Sequence, residues 1–217
     1  MQNKQLYWSK GSFCLLLFVI LGYTVRFYPQ YLEAFDGMVQ TTVRGNLPAG
    51  LTSFFVTLTK IGNMPVILTW VTVMTLFLVW KRYYSEALFL AGNLVLTGLL
   101  VVLLKNIYQR PRPSLEHLVV EHGFSFPSGH ALAAGLVLGS LLILVTQGIS
   151  STGLRRLLQV VLVSLILLLP LSRVYLGVHY PSDVLGSLLL SLGLLFIEYP
   201  AYQGLRFRWR FTGKQAR

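Results

Sequence analysis

Residues 87–104 read Ala87-Leu-Phe-Leu-Ala-Gly-Asn-Leu-Val-Leu-Thr-Gly-Leu-Leu-Val-Val-Leu-Leu104, eighteen positions without a charge, closed at once by Lys105. As a helix rising about 1.5 Å per residue the run covers roughly 27 Å, close to the hydrocarbon thickness of a bilayer. It lacks both the alternation of a half-buried strand and the polar stripe of a soluble surface helix. Five more charge-free runs flank it: Gly11–Val25, Ile61–Trp80, Ala131–Leu154, Leu157–Ser172 and Val184–Ile197. The first, fifth and sixth are short and borrow from their flanks. The sixth reaches Leu205 if Glu198 is tolerated near the interface.

The expected fold is all-α, an integral-membrane bundle of six transmembrane helices forming one domain over residues 1–217. Composition agrees. Hydrophobic residues make up 54% of the chain and charged residues 12%, against about 25% charged in soluble domains. Too few charges are present to cover a water-facing surface, and too many apolar residues for a disordered chain. The net charge of +11 does not point to nucleic acid, because the basic residues lie between apolar runs and form no patch on a soluble domain. Cys14, the one cysteine, lies within an apolar run and has no intrachain disulfide partner. The first run reads as a retained helix rather than a cleaved signal peptide, since no clean small-x-small cleavage site follows it.

Lysine and arginine set the orientation. Connections on the side of the N-terminus hold eleven (Lys4, Lys10, Lys81, Arg82, Arg155, Arg156, Arg206, Arg208, Arg210, Lys214 and Arg217) and those on the other side hold seven. The positive-inside rule makes the first side cytoplasmic, with both termini inside a plasma membrane. The longest outer connection, residues 29–60, carries Leu32, Phe35, Val39 and Val43 at helical spacing, with Glu33, Asp36, Gln40 and Arg44 between them. Leu51, Phe54, Phe55 and Leu58 repeat the pattern. One or two amphipathic helices are expected, lying on the bilayer surface or packed on the bundle. The basic, aromatic tail after Pro200 reads as a cytoplasmic membrane-surface anchor.

Three outer segments concentrate polar residues where they need a reason. They are Lys105-Asn-Ile-Tyr-Gln-Arg-Pro-Arg112-Pro113, Pro127-Ser128-Gly129-His130, and Ser172-Arg173-Val-Tyr-Leu-Gly-Val-His179-Tyr-Pro-Ser-Asp183. Together they resemble the three-part signature of the type 2 phosphatidic acid phosphatase (PAP2) superfamily, K-x6-R-P, P-S-G-H and S-R-x5-H-x3-D, with every position filled. The orientation count, made without the motifs, puts all three on one side, where they can converge.

The residue types suit phosphate. Lys105, Arg112 and Arg173 supply three positive charges; arginine's fork matches a tetrahedral oxyanion and lysine acts as a point charge. Arg110, outside the signature, fits interfacial snorkelling better. Ser128 is a good N-cap for the fourth helix, whose first N–H groups, near Gly129 and His130, form an anion site. Pro181 begins the sixth helix, so Asp183 in its first turn can reach back to His179. A carboxylate on Nδ1–H fixes the tautomer and leaves Nε2 free to attack phosphorus.

By the resemblance, His179 is the nucleophile, Asp183 orients it, and His130 protonates the leaving oxygen and then activates water. Lys105, Arg112, Ser128, Gly129 and Arg173 hold the phosphoryl oxygens. The resemblance implies a lipid phosphate substrate, phosphatidylglycerophosphate or undecaprenyl pyrophosphate in bacterial members, with phosphatidic acid and other lipid phosphates as alternatives. No metal or cofactor is expected, because the nearby acids are too few for a metal cage. His117 and His122 read as solvated loop residues. A vanadium haloperoxidase-like enzyme is disfavoured by the six spans, and a transporter with a degenerate site by the intact signature.

Overall fold

The charge-free runs fall mostly within helices, with breaks at Asn63 and at residues 149–151. The computed structural model describes residues 3–216, which leaves Arg217, counted above among the tail cations, outside the described residues. Helix α1 runs Lys4–Phe27, α2 Gln30–Arg44, α3 Ala49–Thr59, α4 Met64–Trp80 and α5 Tyr84–Tyr108. They are followed by α6 Gly129–Gly148, which contains a π-turn at Ala134–Leu138, α7 Thr152–Tyr175 and α8 Pro181–Phe211. No strand occurs among the described residues.

Five helices, α1 and α5 through α8, are long and apolar enough to cross a membrane. The run Ile61–Trp80 behaves differently from a simple span. Helix α4 starts at Met64, and α3 with its following 3₁₀ turn (Lys60–Gly62) meets it at a bend of 51°. The two pass the length and hydropathy test only as a pair, giving up to six spans.

Burial is inverted relative to a soluble protein. Leu16, Ile20, Leu76, Leu99, Val160 and Leu167 are exposed, while Ser85, Asn93, Thr97, Ser140, Ser187 and Ser191 are buried between helices. Lipid supplies no hydrophobic drive between helices, so small side chains that allow close approach do the packing. Where α1 crosses α8, a Cβ on Gly11 would come within 2.6 Å of the Ile197 side chain and 2.9 Å of the Gly193 carbonyl oxygen.

Two expectations are corrected and two are made more specific. The fourth run's helix stops at Gly148, and Leu154 lies in the first turn of α7, which opens at Thr152 after Ser151 with extended backbone. The tail after Pro200 is helical, with Phe207 and Phe211 exposed. It continues α8 to Phe211 and turns inward, with Arg206 Nε and Arg210 Nη2 each 2.9 Å from Glu86 Oε1 at the start of α5. The connection 29–60 holds the two helices expected, and α2 packs on the bundle through Leu32 and Val43 together with its buried polar residues. Asp36 and Gln40 are buried while Tyr31, Phe35 and Met38 are exposed. Finally, Arg110 does not snorkel; it is 7% exposed and bonded on several sides.

Candidate active site

Four helix ends meet at one end of the bundle. The C-terminal end of α5 carries Lys105, the N-terminal end of α6 carries Ser128–His130, α7 ends with Arg173, and α8 begins beside His179. The segment 109–128 crosses between them. It leaves α5 through Gln109 in the left-handed region (φ 48°) and Pro111, which cannot continue a helix. It is pinned by Ser125 N donating to the Arg110 carbonyl (2.8 Å) and Leu118 N donating to the Leu176 carbonyl (3.0 Å).

The five residues between Arg173 and His179 form a tight turn. Val178 N and His179 N both donate to the Arg173 carbonyl, at 3.2 and 3.3 Å. Gly177 makes it possible, with φ +76°; a Cβ there would collide with the Arg44 guanidinium and the Glu116 carbonyl. Arg44, in turn, donates to the carbonyls of Tyr175 (3.1 Å) and Glu116 (3.0 Å).

His179 is 2% exposed, and its Nδ1 lies 3.3 Å from Asp183 Oδ2. The same Asp183 oxygen accepts from Tyr180 N at 2.9 Å, so one carboxylate both caps α8 and holds the imidazole. His179 Nε2 is 3.4 Å from Arg112 Nη1. Burial pushes the imidazole down to about 4; Asp183 opposes this, and Arg173 and Arg112 reinforce it. At that value the ring is neutral near pH 7.

Arg112 is held by backbone acceptors: Nη1 donates to the Val178 carbonyl (2.7 Å), Nε to Gly123 (3.1 Å) and Nη2 to His122 (2.9 Å). Burial lowers its pKa. Arg173 is 1% exposed; Nη1 donates to Thr59 Oγ1 (2.7 Å) and Nη2 to Glu121 Oε1, while its Nε is buried without a partner among the described residues. Glu121 Oε2 also faces Arg112 Nη2 at 3.5 Å, so one carboxylate bridges the two guanidinium groups. Lys105 makes no hydrogen bond or ion pair among the described residues, and its charged neighbours are Arg112, Glu121, Asp183 and Arg173. Ser128 caps α6, its Oγ accepting from Ala131 N (3.4 Å), and its own N–H donates to Ser187 Oγ (2.9 Å). His130 Nε2 lies 3.2 Å from Asn63 Oδ1, and the ring is within electrostatic reach of Arg173, His179 and Lys105.

All eight residues singled out from the sequence thus lie at this end of the bundle. His117 and His122 are exposed loop residues. The structure adds five partners that the motifs do not contain. Arg110 Nη1 donates to Asp183 Oδ1 (2.6 Å) and Ser182 Oγ (2.7 Å), and its Nη2 donates to Asp36 Oδ2 (2.8 Å). Asp36 also accepts from Ser182 N and Oγ. Glu121, Thr59 and Asn63 complete the set. Asp36 had a signal, an acid on the polar stripe of an amphipathic helix. Thr59 and Asn63 had none.

Fold and site together define a helical membrane protein with a cluster of buried cations around two histidines at one end of the bundle. Residues 86–207 match the family model of the PAP2 superfamily, and the chain belongs to that superfamily, among phosphoric ester hydrolases. Over 100 residues it is 37% identical to phosphatidylglycerophosphatase B of Bacillus subtilis (strain 168), a match that spans 46% of this chain and 49%, about half, of that relative. It is 29% identical over 205 residues to undecaprenyl-diphosphatase of Sulfolobus acidocaldarius, covering 90% of this chain and 91% of that one. The crystal structure of a transmembrane PAP2-type phosphatidylglycerolphosphate phosphatase from Bacillus subtilis superposes with a TM-score of 0.76 at 26% identity, covering 92% of this chain and 96% of that one.

Proposed function

We propose that the protein is a membrane lipid phosphate phosphatase that works through a phosphohistidine on His179. The observation that carries this reading is the His179 imidazole, tied through Nδ1 to Asp183 with Nε2 turned toward Arg112. His179 Nε2 attacks phosphorus, and Lys105, Arg112, Arg173 and the N-terminus of α6 at Ser128 and Gly129 take up the charge on the equatorial oxygens. The unpartnered Nε–H of Arg173 is a donor suited to one of those oxygens. His130 gives its proton to the leaving lipid alkoxide, then removes one from the water that hydrolyses the phosphoenzyme.

A lipid substrate is supported by an apolar cavity of about 260 Å³ beside the site, lined by Ile61, Ile67, Trp70, Ala133, Ala134 and Leu169. It reaches Ile61, next to the Gly62-Asn63 pair that faces His130, so an acyl or isoprenoid chain there leaves its phosphate near the cations. Phosphatidylglycerophosphate and undecaprenyl pyrophosphate are the favoured substrates, on the strength of the names of the relatives. In this reading six spans cross the plasma membrane, the α3–α4 pair serving as one, with α2 at the interface, both termini cytoplasmic and the site at the outer face.

Phosphate release from a panel of purified lipid phosphates tests the reading, with and without excess EDTA. Release from at least one lipid, unaffected by the chelator and absent in His179→Ala, is the expected outcome. Activity retained in His179→Ala, or lost to EDTA and restored by magnesium, would sink the mechanism.

A further inference from the structure

The break between α3 and α4 is built around a catalytic side chain. Lys60–Gly62 forms a single 3₁₀ turn, and the chain bends there by 51°. The turn presses backbone against the His130 ring, since a Cβ on Gly62 would collide with His130 Cδ2. The Thr59 backbone also lies within reach of that ring. Asn63 follows, at the N-cap of α4, with extended backbone (φ −67°, ψ 138°). Asparagine is favoured there because its side chain accepts from the N2 or N3 amide. Here it makes no such bond. Pro65 occupies N2 and has no amide to offer. The Asn63 carbonyl instead points at His130, with Oδ1 3.2 Å from Nε2.

We propose that Asn63 is the positioning residue for His130: Oδ1 accepts the Nε2–H, orients the ring and leaves Nδ1 as the nitrogen that carries the transferred proton. The inference rests on the role given to His130 above. His130 enters the first half-reaction as the imidazolium, with a proton on each ring nitrogen, and the Nδ1 proton passes to the lipid oxygen as its bond to phosphorus breaks and the bond from His179 Nε2 forms. His130 is then neutral, with its remaining proton on Nε2, held by Asn63. In the second half, water attacks phosphorus, its proton goes to Nδ1, and His179 leaves. A neutral imidazole with the opposite tautomer could not take that proton at Nδ1.

Serine and aspartate at position 63 separate this role from helix capping. Asn63→Ser can still cap α4 but is too short to reach His130, whereas Asn63→Asp keeps an acceptor at the same reach. In rapid-quench first turnovers, Asn63→Ser should slow phosphoenzyme formation from an alkyl lipid phosphate by about tenfold or more. With nitrophenyl phosphate, whose leaving group hardly needs a proton, it should lose less than about twofold. Asn63→Asp should stay within about threefold of the parent on both. Nitrogen NMR of labelled protein should find neutral His130 protonated on Nε2, and a tautomer mixture in Asn63→Ser. Equal slowing with both substrates, no slowing, or an Nδ1–H tautomer in the parent protein would overturn the proposal. His130→Ala serves as the control. If it too fails to distinguish the leaving groups, the acid role of His130 is wrong, and the tautomer measurement alone decides whether Asn63 orients the ring.

Discussion

Arg110 donates to Asp183 Oδ1 at 2.6 Å, while Asp183 Oδ2 faces His179 Nδ1 at 3.3 Å. The carboxylate that orients the imidazole is therefore itself oriented, by a buried guanidinium shared with Asp36. Two acids and one arginine sit together at 2%, 0% and 7% exposure. Removing the arginine leaves two buried carboxylates facing each other. Arg110→Met should cost about 3–5 kcal/mol of stability, the range for breaking a buried pair by deleting one partner. It should also depress turnover, because Asp183 loses its anchor. Thermal unfolding in detergent measures the first effect, and Arg110→Met with Asp36→Asn should recover part of it. An Arg110→Met protein as stable as the parent would contradict the charged triad.

Glu121 bridges Arg112 and Arg173 from a 28% exposed position, on the two cations assigned to phosphate. An incoming phosphoryl group must compete with that carboxylate for the same donors. Glu121→Gln removes the competing charge but keeps the side chain's size. Inorganic phosphate should then inhibit at about tenfold lower concentration, a gain of about 1.4 kcal/mol. Weaker inhibition in the variant would mean that Glu121 organises the arginines for phosphate rather than competing with it.

The pH profile should reflect the depressed imidazole. In the proposed mechanism His179 attacks only when neutral, and burial moves its pKa from the ordinary 6.5 down to about 4. Because the shift is downward, the neutral fraction is preserved as pH falls through 6.5 and is lost only on approach to 4. The acid limb of kcat/KM, corrected for ionisation of the substrate, should lie near 4. A limb at 6 to 6.5 would show an ordinary, solvated histidine.

Sidedness can be read with single cysteines on a Cys14→Ser background. Val120, 83% exposed, lies in the segment that crosses the site, and Ser151 is an exposed residue in the α6–α7 connection at the other end. Val120→Cys should react with an impermeant thiol reagent in whole cells, and Ser151→Cys only after permeabilisation. The reverse pattern would put the site on the cytoplasmic face.

The helical elements and the eight signature residues were legible because each leaves a local mark. Charge-free runs announce helices, and Ser128 and Pro181 announce helix starts. What escaped depends on packing across long separations. Leu76 and Leu167 read alike in any hydropathy window as Leu90 and Leu132, yet the first two are exposed and the last two wholly buried. Arg110 looked like any cation at a helix end; only the approach of Asp36, 74 positions earlier, makes it an internal ion. The inward turn of the polar face of α2 has the same origin. An amphipathic stripe states that a helix has two faces, not which solvent each one meets.

That inward face bears on how the catalytic segment can be handled as a unit. The stretch matching the family model, 86–207, contains every signature residue, and on paper it is a portable cassette. Yet Asp36, Thr59 and Asn63 all lie upstream of it, and they contact Arg110, Arg173 and His130 respectively. A chimera grafting 86–207 onto an unrelated set of leading helices would carry an intact signature with a loosened charge triad, an Arg173 short of one acceptor and a His130 without its Asn63 contact. On the proposed mechanism the leading helices shape the site, and swapping them between relatives would change the partners of Arg110, Arg173 and His130 along with the membrane helices themselves.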